Sequence, residues 1–296
     1  MRAMNITDAL ERFLTQLEAD GRSQLTIGQY RRHVQLLATW AKHEGLSGDL
    51  RNFDHDVLAR FLCSESARLG PNGRPKKASS MNVLRSSIKG LFGYLHRAGD
   101  ISGDPSRLIR RAQCGAPPPR GLSEADQARL LTTLDKEEGS KAERDRALFT
   151  LLLSTGIRIS SALALDVEDL DLEGGEIHVR HVKGGREQVV YMGGDVVDRI
   201  REFICGRLSG PLFTSGDGQR LSHRQAQRRL GRALSRAGVR HAGPHALRHS
   251  FAQALYRRTR DVMLVKRALG HSSLSSTMVY AETSGCDLRQ ALIGPE

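Results

Sequence analysis

Two imidazoles and a guanidinium on one side of a helix can grip a phosphoryl group and move its protons. In Gly243-Pro244-His245-Ala246-Leu247-Arg248-His249, a proline in the first turn opens a helix. His245 and Arg248 then stand at i,i+3 and His245 and His249 at i,i+4, along one side. The guanidinium is a permanent, planar, forked donor suited to phosphate, and imidazole exchanges protons near neutral pH. Downstream, Leu269-Gly270 reads as a helix end with a glycine C-cap, His271 falls in the turn after it, and Ser272 or Ser273 caps a last short helix carrying Tyr280. That places a mobile phenol beside the same pocket. With a reference pKa near 10, only about a thousandth of it is phenolate at pH 7, so attack on phosphorus needs assistance.

The compound pattern His-x-x-Arg-His, then Leu-Gly-His-Ser, then Tyr nine residues after that histidine resembles the C-terminal signature of the tyrosine recombinases, the family of phage integrases and Xer-type resolvases. The resemblance implies that Arg158, in Ser154-Thr155-Gly156-Ile157-Arg158, is the first catalytic arginine. It implies that Lys183, between two predicted strands, is the hairpin lysine. Arg158, Lys183, His245, Arg248 and His271 would surround the scissile phosphate, with Tyr280 as nucleophile and His249 as structural support. The implied product is a 3′-phosphotyrosyl link with a free 5′-hydroxyl, Lys183 protonating the departing 5′ oxygen. Because that link conserves bond energy, strands are exchanged through a Holliday junction with no ATP, metal or other cofactor. One position departs from the pattern: where the family has Arg-x-Ser followed by an acidic residue, this chain has Arg158-Ile159-Ser160-Ser161.

The chain has 296 residues, 39% hydrophobic and 26% charged, and a formal net charge of +12. This is enough chain for two cores, and the composition excludes disordered and fibrous classes. The charge favours a polyanionic partner, nucleic acid before an anionic membrane. No apolar run approaches the ~18 residues of a membrane span, and Met1-Arg2-Ala3-Met4-Asn5 lacks the apolar core of a signal peptide, which predicts the cytoplasm. Cys63, Cys114, Cys205 and Cys286 show no C-x-x-C pairing and are expected as reduced thiols, mostly buried.

The expected fold is mainly α with a small β-sheet. Apolar residues recur at helical spacing in Ile6 to Asp20, in the stretch from Ser23 to Gly45, after Asp54, and from Ser79 or Ser80 to Gly99. These give a four-helix, DNA-binding domain over residues 1–112, and Thr26-Ile27-x-x-Tyr30 in the second helix suits the family's layout. Residues 113–121, with Pro117-Pro118-Pro119, form an extended linker. Residues 122–296 form the mixed α/β catalytic domain, with a Ser123-capped helix, a buried helix from about Ala142, and a hairpin of Glu176–His181 and Gln188–Met192. Two domains joined this way can close around duplex DNA as a clamp.

Between Gln219 and Arg260 there are eleven arginines and no acidic residue. Arg224, Arg228, Arg232 and Arg236 recur every four residues opposite an apolar face, the pattern of a helix lying along DNA. Lys76 and Lys77 in the basic loop Gly70–Lys77 are further candidates. The tail carries Leu288, Ala291 and Leu292 in a segment too short to fold unaided, and the resemblance implies docking into a neighbouring protomer of a homotetramer on two duplexes, with or without accessory proteins. The layout also lacks an additional N-terminal arm-binding domain, which leans toward simple core sites. Rival readings are a relaxing topoisomerase, a DNA-binding regulator that keeps the fold without catalysis and, least supported, a metal enzyme.

Overall fold

The computed structural model describes residues 4–114, 121–180, 187–271 and 273–280, and the chain divides into two compact units, Met1–Ala116 and Pro117–Glu296. The first is all helical: α1 Ile6–Ala19, α2 Gln24–His43, α3 His55–Cys63, α4 Glu65–Arg68 and α5 Ala78–Arg97. Side-chain caps start most of them. Ser23 accepts from Thr26 N on α2 and Asp54 from Val57 N on α3, the pairing that leaves fewer orphan donors at a helix start. The fourth expected helix, now α5, starts instead after Lys77, which makes no side-chain cap bond. Its apolar face of Leu84, Ile88, Leu91, Phe92 and Leu95 meets Phe13, Leu37, Trp40 and Phe61 in one core.

The second unit comprises α6 Glu124–Asp135, α7 Ser140–Thr155, α8 Ile159–Ala164, strands β1 Leu170–Asp171, β2 Glu176–Val179 and β3 Gln188–Tyr191, then α9 Gly194–Ile204, α10 His223–Arg236, α11 Pro244–Thr259, α12 Val262–Leu269 and α13 Ser275–Met278. The strands form an antiparallel sheet in the order β1-β2-β3, with Ile177 opposite Val190. α7 is buried nearly all round, as its unbroken Leu148-Phe149-Thr150-Leu151-Leu152-Leu153 run requires. It is the post around which α6, α9, α10 and α11 pack.

Three helices and one strand lie outside the sequence expectations: α4, α8, α9 and β1. Cys63, Cys114 and Cys205 are exposed rather than buried. Cys63 is the last residue of α3 and Cys205 is the left-handed C-cap of α9, so both fall where a helix turns out to the surface. Among the described residues no helix is long and apolar enough to cross a membrane.

A buried ion cluster ties α7 to α10. The Asp145 carboxylate, 4% exposed, accepts from Arg144 Nη2 at 2.9 Å and pairs with the Arg229 guanidinium, while Arg144 Nη1 donates to the Thr214 carbonyl. Removing one partner of such a cluster leaves charge buried and uncompensated, at a cost of about 3–5 kcal/mol, whereas an exposed pair is worth less than about 1 kcal/mol. Asp145→Ala should therefore lower the urea unfolding midpoint strongly, and Arg236→Ala, whose pair with Glu137 is exposed, should barely move it.

Candidate active site

Arg248 stands at the centre. It lies on α11, is 7% exposed, and spends two of its donors on protein: Nη1 on the Gly156 carbonyl at 2.7 Å and Nη2 on the Leu269 carbonyl at 2.6 Å. Those carbonyls end α7 and α12, where the helix leaves oxygens without intrahelical partners and with partial negative charge. Both helices stop in left-handed glycines, Gly156 and Gly270. A Cβ on Gly156 would fall 2.3 Å from the Phe251 ring, so glycine there permits both the turn and the approach of α11. Further ties brace the frame. Leu122 N donates to Ser250 Oγ at 2.7 Å, and Gln188 Nε2 on β3 donates to the Ala268 carbonyl.

Arg158 is the N-cap residue of α8, immediately past the end of α7. Its charge acts on Arg248, His245 and His271, so the expected residues share one electrostatic neighbourhood. Burial, and then Arg158, lower Arg248 to about 10, which leaves it charged at neutral pH. His245 is lowered by partial burial first and then by Arg248, His223 and Arg158. His271 is lowered to about 4 by burial, Arg248, Arg158 and His249, and its Nδ1 meets the hydroxyl of fully buried Thr277 at 2.8 Å. Since Nδ1 is taken by the last helix, Nε2 is the nitrogen left for chemistry.

Tyr280 is seated in an apolar cluster. Its ring is 8% exposed and packs with Ala252, Leu255, Val265 and Leu269, and burial raises its pKa against the opposing pull of Arg248. Its hydroxyl lies 2.5 Å from His249 Nδ1. His249, expected as structural support, thus contacts the Tyr280 hydroxyl directly, and its i,i+4 spacing from His245 was the available signal. The short helix before Tyr280 is capped not by a serine but by Leu274, without a side-chain bond, and Ser272 lies outside the described residues.

Lys183 also lies outside the described residues, although β2 and β3 on either side of it are paired. Ser161, on α8, faces a cavity of about 310 Å³ shared with Asp166, Asp169, Arg180 and Arg220. The two carboxylates there are paired with the cavity's own arginines, Asp166 with Arg220 and Asp169 with Arg180. On α10, Arg224, Arg228 and Arg232 are exposed and unpaired among the described residues. Arg236 differs, being ion-paired with Glu137 at 2.5 Å. In the helical unit, Lys76 Nζ donates to the Ala67 carbonyl at 2.8 Å, so its amine closes the loop, while Lys77 is exposed.

These shifts have a measurable consequence. Histidines in the unfolded chain titrate near 6.5, whereas His245, His249 and His271 sit below that value in the fold. Below about pH 6.5 the unfolded chain binds more protons, so stability is full above it and is lost as pH falls toward about 4. Urea midpoints should decline across that window, and His271→Gln should flatten the decline. A midpoint that rises on acidification would contradict the assignment.

Residues 120–285 match the phage integrase family, and residues 10–99 match the phage integrase N-terminal SAM-like domain. The chain is 31% identical over 278 residues to tyrosine recombinase XerC of Chromobacterium violaceum, covering 92% of this chain and 89% of that protein. It is 30% identical over 291 residues to tyrosine recombinase XerD of Pseudomonas putida, covering 95% and 94%. It superposes with a TM-score of 0.76 and 25% identity, covering 94% of this chain and 84% of the other, on the XerH site-specific recombinase crystallised with a palindromic difH substrate in a post-cleavage complex. With both halves matched, the chain belongs to the phage integrase family of tyrosine recombinases.

Proposed function

We propose that the protein cuts and rejoins duplex DNA at a specific core site through a 3′-phosphotyrosyl link at Tyr280, exchanging strands through a Holliday junction. The observation that carries this is the convergence of Tyr280, Arg248 and the histidines in a site whose hydrogen bonds and ion pairs, among the described residues, involve no carboxylate. In this reading Arg158 and Arg248 hold the non-bridging oxygens of the scissile phosphate. Losing one such preorganised donor costs on the order of a hundred- to thousandfold in rate. Lys183 protonates the departing 5′ oxygen, and His245 and His271 orient the phosphate or assist its proton transfers. Neither ATP nor a metal enters the scheme.

Residues 1–112 serve as the helical DNA-binding domain, 113–121 as linker and 122–296 as catalytic domain, working in the cytoplasm. The working form is a homotetramer on two duplexes. An apolar groove of about 590 Å³ on the catalytic unit, lined by Leu153, Val190, Met192, Phe251, Leu255 and Leu264, supports docking of a neighbour's tail through Leu288, Ala291 and Leu292. Arg224, Arg228 and Arg232 on α10, with Lys77, supply phosphate contacts.

A library of nicked duplexes with randomised centres tests the chemistry. Wild-type protein should retain some members covalently under denaturing conditions, and Tyr280→Phe should retain none. Replacing Arg224, Arg228 and Arg232 by Gln should reduce the slope of log affinity against log salt by about 0.9 for each residue on a phosphate. An unchanged slope would remove α10 from the interface.

A further inference from the structure

We propose that His249 is the general base for the nucleophile, taking the Tyr280 proton as the phenol attacks and returning it when the strand is resealed. This rests on the reading of Tyr280 as nucleophile and assigns the proton acceptor within it. The contact itself is the first support: Nδ1 and Oη are 2.5 Å apart, with ring centroids at 5.6 Å. A base must reach the proton it removes, and this one already does. Elimination is the second. Among the described residues no other side chain hydrogen-bonds that hydroxyl, since the Nδ1 of His271 is taken by Thr277 and the guanidinium of Arg248 carries no lone pair to accept a proton.

The surroundings keep His249 ready to accept. It faces His245 and Arg248 on its own helix, His271 beyond α12 and Tyr280 beyond α13; burial, then His245 and Arg248, lower its pKa. A pKa below the usual 6.5 favours the free base at neutral pH, and the proposed role requires the tautomer with its hydrogen on Nε2 and its lone pair on Nδ1. In the forward step the Tyr280 O–H bond breaks, its proton passes to Nδ1 and the oxygen bonds to phosphorus. The bond from phosphorus to the 5′ oxygen breaks, and that oxygen takes a proton from the general acid. Resealing runs the same transfers backward, the imidazolium protonating the departing phenolate.

The test uses a duplex that wild-type protein traps covalently, and His249→Asn, which keeps an acceptor near the phenol but cannot take its proton. A second substrate, the same duplex with a 3′-p-nitrophenyl phosphate at the cleavage position, lets an incoming 5′-hydroxyl strand displace nitrophenolate. That reaction needs the arginines but neither Tyr280 nor its proton. His249→Asn should lower single-turnover tyrosyl cleavage by about 10²- to 10⁴-fold while nitrophenol release stays within about threefold of wild type. Wild-type cleavage should fall on acidification as His249 protonates, and the variant should lose that acid limb. Retained cleavage, or equal loss of both reactions, overturns the proposal. Failure of wild-type protein to form any adduct overturns the reading of Tyr280 and this proposal with it.

Discussion

The guanidinium of Arg248 closes the C-terminal ends of two helices at once, and most of the catalytic unit is arranged so that it can. Taking a cation out of water costs several kcal/mol unless partners replace the lost hydration. Here the carbonyls of Gly156 and Leu269 replace it, at helix ends that favour positive charge. The requirement spreads outward. α7 must end where α11 crosses it, so Gly156 carries no side chain against Phe251. α12 must end one step before Gly270, and β3 holds that end through Gln188. Because the charge is fixed before any ligand arrives, little reorganisation remains when a phosphate binds.

Fixing one cation in that position determines the character of its neighbours. Arg158 lies close enough to lower Arg248, and among the described residues no carboxylate pairs with either. Two guanidinium groups brought together without an anion repel each other, so phosphate entry relieves a strain that the protein alone maintains. Burial first, and neighbouring positive charge second, hold three histidines below their usual range, which favours the free base that proton transfer uses. Ser161 lines a different cavity, whose Asp166 and Asp169 are held by arginines of their own. Positioning of Arg158 then rests on its backbone place between α7 and α8 rather than on a carboxylate partner.

Much of this was legible in the sequence because the motif residues are spaced by helix geometry. Pro244 does open α11 and Gly270 does end α12. Ser23, Asp54 and Ser123 cap the helices assigned to them. The exposure of cysteines was not legible, since it depends on which residue ends a helix. Nor was the pairing of Arg236 with Glu137, a residue far back in the chain that only tertiary packing brings near. Lys76 looked like a loop charge but reaches a carbonyl nine residues earlier. α9 was missed although Val196, Val197, Ile200 and Ile204 carry helical spacing. The contact of His249 with Tyr280 was not legible, because i,i+4 spacing says that two histidines share a face and says nothing of what packs against it.

The seat of Tyr280 explains why a nucleophile can be kept harmless beside its own base. α13 is a single turn and cannot hold a phenol by itself; the ring is held by Ala252, Leu255, Val265 and Leu269, and the helix is tied back through Thr277 to His271. Burial disfavours charge on either member of the Tyr280–His249 pair, raising the phenol and lowering the imidazole. The two shifts point in opposite directions, so in the protein alone the proton stays on oxygen. Transfer becomes favourable only when the oxygen begins to bond to phosphorus, because an aryl phosphate ester oxygen has little affinity for a proton. The bound phosphate therefore supplies the condition for activating the phenol, and a seat that looks purely structural becomes part of how reaction is confined to DNA.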